Sequence, residues 1–401
     1  MIIHPFKALR PKTKYAKDIA ALPYDVVTVE EAKKIAKNNP LTFLRVDLPE
    51  TDFIKQPKEN ILYEKAVQNL QYLTKNYMIK DNQPRLYIYR LSFNGKTKTG
   101  IAGCFNICDY EQGLIKKHEL TRKSKEIDRV NHITYCNAHT GPILLTFEKN
   151  VNLYTIIEKW SRENTFVYNF ENEDNVTHTL WVVNEEKVIE EITNAFLDVK
   201  CLYIADGHHR VAAAASVYKS IQTQNTSRFL GVAFPKNELT ILDYNRTVST
   251  FGEYSQQEFL QEVKKIFLLE SVNYIVRPTE YNTFGMYTAG KWFKLTYNKD
   301  NEQNVEIERL PSEILQYELL TPILGITDQR TDDRLNFIGG IDGINTLINN
   351  VDAGKAAVAF TLCPTTIDEL IKVSDQGKIM PPKSTWFEPK LRSGLLIHSF
   401  D

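Results

Sequence analysis

The sequence predicts a mixed α/β protein with more than one domain. Apolar runs of strand length alternate with amphipathic stretches of helical period along the chain. Turn signals such as Asn94-Gly95 join neighbouring strand candidates, which indicates antiparallel pairing. At 401 residues the chain exceeds what one hydrophobic core usually organises.

The elements follow in order. Ala21-Leu22-Pro23-Tyr24-Asp25-Val26-Val27 is an apolar run marked by a proline turn, and a helix is expected from Val29 to Lys37. Thr28 caps it and Glu31, three residues on, completes a capping box, while Asn39-Pro40 ends it. Leu62 to Asn76 has helical spacing; Arg85 to Ser92 and Gly100 to Ile107 read as a hairpin about Asn94-Gly95. After the turn signal Gln112-Gly113, a short strand delivers Lys116, Lys117, His118 and Glu119 to a loop, and the charged stretch from Lys123 to Arg129 reads as a solvated helix. Asn137 to Pro142 is a polar loop leading to a strand from Ile143 to Phe147. Helices are expected over Tyr154 to Trp160 and Glu185 to Phe196, with a strand over Thr177 to Val183 between them. Phe229 to Phe234 and Thr240 to Tyr244 read as a strand pair joined at Pro235 to Glu238. From Ser255 to Phe267 an amphipathic helix opens a new section, so the main boundary falls near Phe251, giving regions 1–250 and 251–401. Beyond it come helices at Ser312 to Leu320 and Thr366 to Ser374 and a strand at Ala356 to Leu362.

Composition narrows the function classes. With 49 Lys+Arg against 50 Asp+Glu, a formal net charge of -1 provides no broad positive field for non-specific nucleic-acid binding. The five cysteines are odd in number and mostly set in apolar runs, so a disulfide framework is not expected; Cys104-x-x-x-Cys108 lacks the second pair that a structural zinc site needs. The N-terminus lacks signal-peptide character and there is no 18-residue apolar stretch, which predicts a cytoplasmic protein without a membrane partner.

The densest chemistry lies in Cys201-Leu202-Tyr203-Ile204-Ala205-Asp206-Gly207-His208-His209-Arg210. Cys201 to Ala205 reads as a buried strand and the alanine-rich Val211 to Val217 as a helix, so the polar cluster sits at a strand-to-helix junction. Free amides and the helix dipole favour an anion there, and Gly207 lets the backbone approach it closely, which makes a phosphate site the first expectation. In the alternative reading, Asp206 caps the helix and pairs with Arg210 while the histidines satisfy core polar groups.

Six motifs now point to a relative: Pro5 to Pro11, Pro23 to Val27, Lys116 to Arg122, Ala205 to Arg210, Asp243 to Arg246 and Met380 to Thr385. Together, and in this order, they resemble the domain-of-unknown-function family numbered 1015. The Asp-Gly-His-His-Arg signature in turn looks like the phosphate motif of the ParB/sulfiredoxin-like fold. The resemblance implies a ParB/sulfiredoxin-like mixed-sheet nucleotide-binding core with additional N- and C-terminal α/β sections. Members of that fold include kinases that phosphorylate free serine, with a glutamate after a Lys-x-His pattern as base. Carried over, Glu119 fills that role, and Asp206, His208, His209 and Arg210 fall on the nucleotide motif. The stretch between Glu119 and Asp206 is longer than in compact members, which implies a looped-out insertion.

The chemistry expected is phosphoryl transfer from ATP or ADP to the hydroxyl of a small free amino acid, L-serine first, with Mg2+ as cofactor. Glu119, His209 and Asp206 are the candidate catalytic residues. Gly207, His208, His209, Arg210, Lys117 and His118 are the candidate nucleotide and phosphate ligands, and Asp206 is the candidate metal ligand. Arg246 with Asn245 would clamp the acceptor carboxylate; Arg122 and His132 are further candidates, and Lys383-Ser384-Thr385 is a candidate phosphate contact. Three other classes stay open: a nucleotide sensor without turnover, a ParB-like nucleic-acid-binding or nuclease protein, and a metal-dependent hydrolase with His208, His209 and Asp206 as ligands. The near-neutral charge and the lack of a helix-turn-helix with a basic second helix argue against nucleic acid.

Overall fold

A computed structural model describes residues 1–55, 57–297, 310–340 and 343–401. They form two compact units, one of Met1–Leu239 with Pro389–Asp401 and the other of Thr240–Glu388. The expected partition ran 1–250 and 251–401. Two strands account for the difference. Tyr244–Val248 is an inner strand of the second unit's sheet, and Ile397–Ser399 pairs with Ala8–Pro11 in the first unit.

The first unit is built on a mixed eight-stranded sheet, in the order Ile115–Lys116, Leu202–Asp206, Ile143–Phe147, Arg228–Pro235, Lys96–Asn106, Leu86–Phe93, Thr177–Val183, Tyr168–Glu171. Two of its pairings are parallel, Ile115–Lys116 with Leu202–Asp206 and Ile143–Phe147 with Arg228–Pro235. The hairpin between Leu86–Phe93 and Lys96–Asn106 turns at Asn94 and Gly95, both at positive φ (49° and 72°) as a two-residue hairpin turn requires. Leu145, Ile204, Phe105 and Phe229 from the strands pack with Trp160, Phe196 and Ala214 from helices Val151–Glu163, Glu186–Leu197 and His208–Ser220.

A second sheet of the same unit, ordered Met78–Lys80, Ala8–Pro11, Ile397–Ser399, Ala138–His139, covers a separate core with helix Glu59–Tyr77. Here the Pro5 to Pro11 motif has a structural task. Arg10 donates to both oxygens of Asp81 from Nε at 2.9 and 3.1 Å and from a terminal nitrogen at 2.8 Å, joining its strand to the one beside it. The helix at Val29–Asn38 carries the full capping box of Thr28 and Glu31.

The second unit holds a six-stranded antiparallel sheet, ordered Phe267–Val272, Lys291–Tyr297, Thr283–Thr288, Val358–Leu362, Tyr244–Val248, Leu335–Gly339. Its helix Gln256–Ile266 is capped by Ser255 and Glu258. The expected helix from Ser312 is an α-turn at Pro311–Leu315 that widens into a π-helical segment, Gln316–Leu320. The expected pairing of Phe229 to Phe234 with Thr240 to Tyr244 does not form. After a 3-10 turn at Lys236–Glu238, Thr240–Leu242 pairs with Trp386–Glu388 instead. No helix among the described residues is long and apolar enough to cross a membrane.

Candidate active site

Strand Leu202–Asp206 runs through Gly207 into helix His208–Ser220, so His208, His209 and Arg210 make up the helix's first turn. Gly207 is the N-cap residue at φ +99°, where an added Cβ would lie 3.1 Å from the Arg210 Nε and 3.2 Å from its Cζ. The dihedral favours glycine, and an added Cβ would in addition press on the guanidinium folded against the turn. No acidic side chain lies in the first turn and no side chain caps it. Asp206 is thus not the cap, and the first turn has the uncapped amides of a helix N-terminus, the kind of feature that favours an anion.

The parallel pairing sets Leu202 against Ile115 and Tyr203 against Lys116, so the segments leaving the two strands run side by side. That pairing brings Glu119 to the motif: its Oε2 lies 3.9 Å from the His208 Nδ1. The rings of His118 and His208 meet edge to face with centroids 4.5 Å apart. Both histidines are buried, while Glu119 is partly open to solvent. Burial pushes the His118 imidazole down to about 4, although its hydrogen bond to the Ile204 carbonyl and the charge of Asp206 work the other way. His118 is therefore neutral at neutral pH. The stretch between Glu119 and Asp206 is not looped out: it supplies three strands of the same sheet, Ile143–Phe147, Tyr168–Glu171 and Thr177–Val183, with helices between them.

The carboxylate of Asp206 faces cations. Its Oδ2 is 3.3 Å from the Nζ of Lys390 and 3.9 Å from a terminal nitrogen of Arg210. Arg210 also donates to the Pro142 carbonyl. Burial penalises this guanidinium, and the charges of Asp206 and Asp25 more than offset that, raising its pKa. The surroundings of Asp206 do not fit Mg2+, which is held by carboxylates and waters and not by an oxygen already facing an ammonium and a guanidinium. His209 accepts the backbone N–H of Arg122 at Nε2, 3.0 Å away, which leaves its ring proton on Nδ1. Arg122 thus meets the motif through its main chain. The side chain of Lys117 is exposed, and Lys116 lies over the Tyr203 ring at 5.7 Å.

On the other side of Arg210 is a small cavity of about 30 Å3 lined by Tyr24, Asp47, Arg129, His132 and Thr140 among others. The Arg129 guanidinium stacks over the Tyr24 ring at 4.0 Å and pairs with Asp128 at 2.8 Å. Asp47 accepts from the Thr140 hydroxyl at 2.8 Å, and His132 sits 2.9 Å from the Val46 carbonyl. Burial, then the Arg129 charge, pulls His132 down to about 4. Sequence reading gave Tyr24, Asp47 and Lys390 no role and counted Arg129 among surface charges. The signals available were Pro23-Tyr24-Asp25 in a shared motif and the burial of Arg129 on the inner face of helix Lys123–Cys136.

Asn245 and Arg246 belong to the other unit, where their side chains hold its sheet together. Arg246 is buried with its guanidinium donating to the carbonyls of Tyr244 and Pro382 and lying 5.2 Å from the Phe337 ring; burial lowers it to about 10. Asn245 accepts from the Leu362 N–H at 3.1 Å and donates to Asp243 at 2.5 Å. In the same unit Ser384 donates to the Pro381 carbonyl at 2.7 Å, and Lys383 lies over the Tyr244 ring at 5.6 Å. The expected metal set of His208, His209 and Asp206 does not assemble. Among the described residues, the donors brought within 4.8 Å of one another are those of His118, Glu119 and His208.

Comparison with solved structures gives a conserved hypothetical protein from Pyrococcus furiosus at a TM-score of 0.39 and 13% identity, over 74% of this chain and 94% of that one. A mutant free serine kinase in complex with AMP has a TM-score of 0.38 and 12% identity, over 73% and 92%. SbnI with a C-terminal truncation, from Staphylococcus aureus, has a TM-score of 0.39 and 10% identity, over 73% and 85%. No curated protein matches the sequence. The model of the family described as protein of unknown function (DUF1015) matches residues 3–316, more than half of the sequence, and the chain belongs to that family.

Proposed function

We propose that the first unit carries a ParB/sulfiredoxin-like nucleotide-binding core and that the protein is a kinase. It transfers a phosphoryl group from ATP or ADP to the hydroxyl of a free small amino acid, L-serine first, giving O-phosphoserine. The observation that carries this reading is the meeting of the Glu119 carboxylate with the Gly207 helix N-terminus across the parallel strand pair. Phosphoryl transfer needs donors on the phosphates and a carboxylate near the attacking hydroxyl, and these two features supply both on adjoining rigid elements.

In this reading the amides of the first turn bind phosphate oxygens, and Gly207 allows the close approach. Arg210 and Lys390 are positioning residues that fix Asp206 and hold a positive potential behind the motif. Glu119 accepts the hydroxyl proton as the oxygen attacks phosphorus. Mg2+, if bound with the nucleotide, would be held by its phosphates and would supply charge neutralisation there; no residue of this chain is assigned to it. The cavity beside Arg210, about 30 Å3, has room for about one or two waters and not for an amino acid, so Arg129 and Asp47 are not assigned to the acceptor. Incubation with Mg2+, L-serine and either nucleotide, followed by mass spectrometry for O-phosphoserine, tests the proposal. Nucleotide binding without product would favour a sensor.

A further inference from the structure

We propose that His118, Glu119 and His208 form a binding site for a divalent transition-metal ion of the Zn2+ type. Three observations support it. The set joins two imidazoles and one carboxylate, donors that suit Zn2+ and its neighbours and not Mg2+ or Ca2+, which take oxygen ligands. The donor atoms already lie within 4.8 Å of one another, and the Glu119 Oε2 to His208 Nδ1 distance is 3.9 Å. Metal bonds of about 2.0–2.1 Å place tetrahedral ligands about 3.4 Å apart, so the donors need to close by roughly 1.5 Å or less.

The supporting shell is also present. His118 donates one ring N–H to the Ile204 carbonyl, a bond that fixes the tautomer and aims the other nitrogen of a metal-ligating histidine. The ligands stand on the end of a strand and the first turn of a helix, both anchored in the eight-stranded sheet. Glu119 is partly exposed, so the fourth position opens to solvent as in sites that bind water or substrate.

The site stands on the same three side chains whether or not phosphoryl transfer takes place. If it does, the ion and the incoming hydroxyl compete for the Glu119 carboxylate, and Zn2+ inhibits the transferase.

The test is titration of chelator-stripped, full-length protein with Zn2+ against a chromophoric competitor. Co2+ serves as a second probe through its visible d–d absorption. One equivalent is expected to bind, with a Co2+ spectrum lacking thiolate charge transfer. His118→Ala, His208→Ala and Glu119→Gln should each weaken binding by at least about 10-fold. Circular dichroism and a thermal melt identify any variant that fails to fold, and Glu119→Gln, nearly isosteric, serves if a histidine variant does. Cys108→Ser, which removes an exposed thiol, should leave binding unchanged. Absence of stoichiometric Zn2+, binding retained in all three ligand variants, or binding lost with Cys108→Ser overturns the proposal. Zn2+ bound as expected by a protein that forms no phosphoserine overturns the kinase reading alone; phosphoserine formed by a protein that takes no Zn2+ overturns the metal site alone.

Discussion

The ammonium of Lys390 lies 3.3 Å from the carboxylate of Asp206, so a residue near the C-terminus closes on the last residue of the motif strand. Lys390 is nearly buried, with 8% of its side chain exposed, and Asp206 is at 24%. Replacing the lysine leaves a poorly solvated carboxylate short of a partner. Lys390→Met should cost about 1–3 kcal/mol, measured by chemical denaturation, and a Lys390→Met/Asp206→Asn double variant should recover part of it. Equal loss in the single and double variants would show that the pair is not coupled.

Gly207→Ala is expected to do more than destabilise. The alanine must hold φ near +99° with its Cβ 3.1 Å from the Arg210 Nε, so either the turn or the guanidinium moves. A stability cost of about 1–3 kcal/mol should accompany loss of nucleotide binding, read by calorimetry. Nucleotide affinity within twofold of the parent protein would remove the first turn from the site.

Arg246→Met should lower stability without changing the KM for L-serine, because its guanidinium donates to two main-chain carbonyls of its own unit. A raised KM at unchanged stability would make Arg246 the acceptor clamp.

Stability should fall in mild acid. His132 and His398 are each pushed by burial from 6.5 to about 4. The unfolded chain therefore binds more protons than the folded one between those values, and stability is full above 6.5 and is lost as the pH falls towards 4. Each histidine contributes about 1.4 kcal/mol per pH unit, or roughly 2 kcal/mol between pH 6.5 and 5. Denaturation series at pH 7 and pH 5 check this, and His398→Asn should flatten the slope. A stability independent of pH over that range would contradict the buried neutral imidazoles.

Local signals carried the fold a long way. Ile143–Phe147 and Thr177–Val183 are strands with the bounds their apolar runs indicate, and Thr28 and Ser255 cap helices because each is followed three residues later by a glutamate. The Asp206 to Arg210 junction was legible for a similar reason: an apolar run, a glycine and four alanines are all local. What failed was non-local. Thr240–Leu242 looked like the partner of the strand before it, but its partner lies nearly 150 residues onward in Trp386–Glu388. Arg129 looked like ordinary surface charge, and Lys390 carried no signal at all, until the tertiary structure buried them. Arg246 looked functional because it is a cation ending a polar motif, yet its two terminal nitrogens donate to main-chain carbonyls of its own unit.

In the proposed reaction Glu119 is the base for an acceptor hydroxyl held beside a bound nucleotide. The most direct test compares the parent protein with Glu119→Gln in Mg2+, nucleotide and L-serine, measuring kcat for O-phosphoserine alongside nucleotide affinity. A kcat lower by about 10²–10⁴ with nucleotide binding preserved is the predicted result. Phosphoserine formed at the parent rate by the variant, or none formed by a parent protein that binds nucleotide, would contradict it.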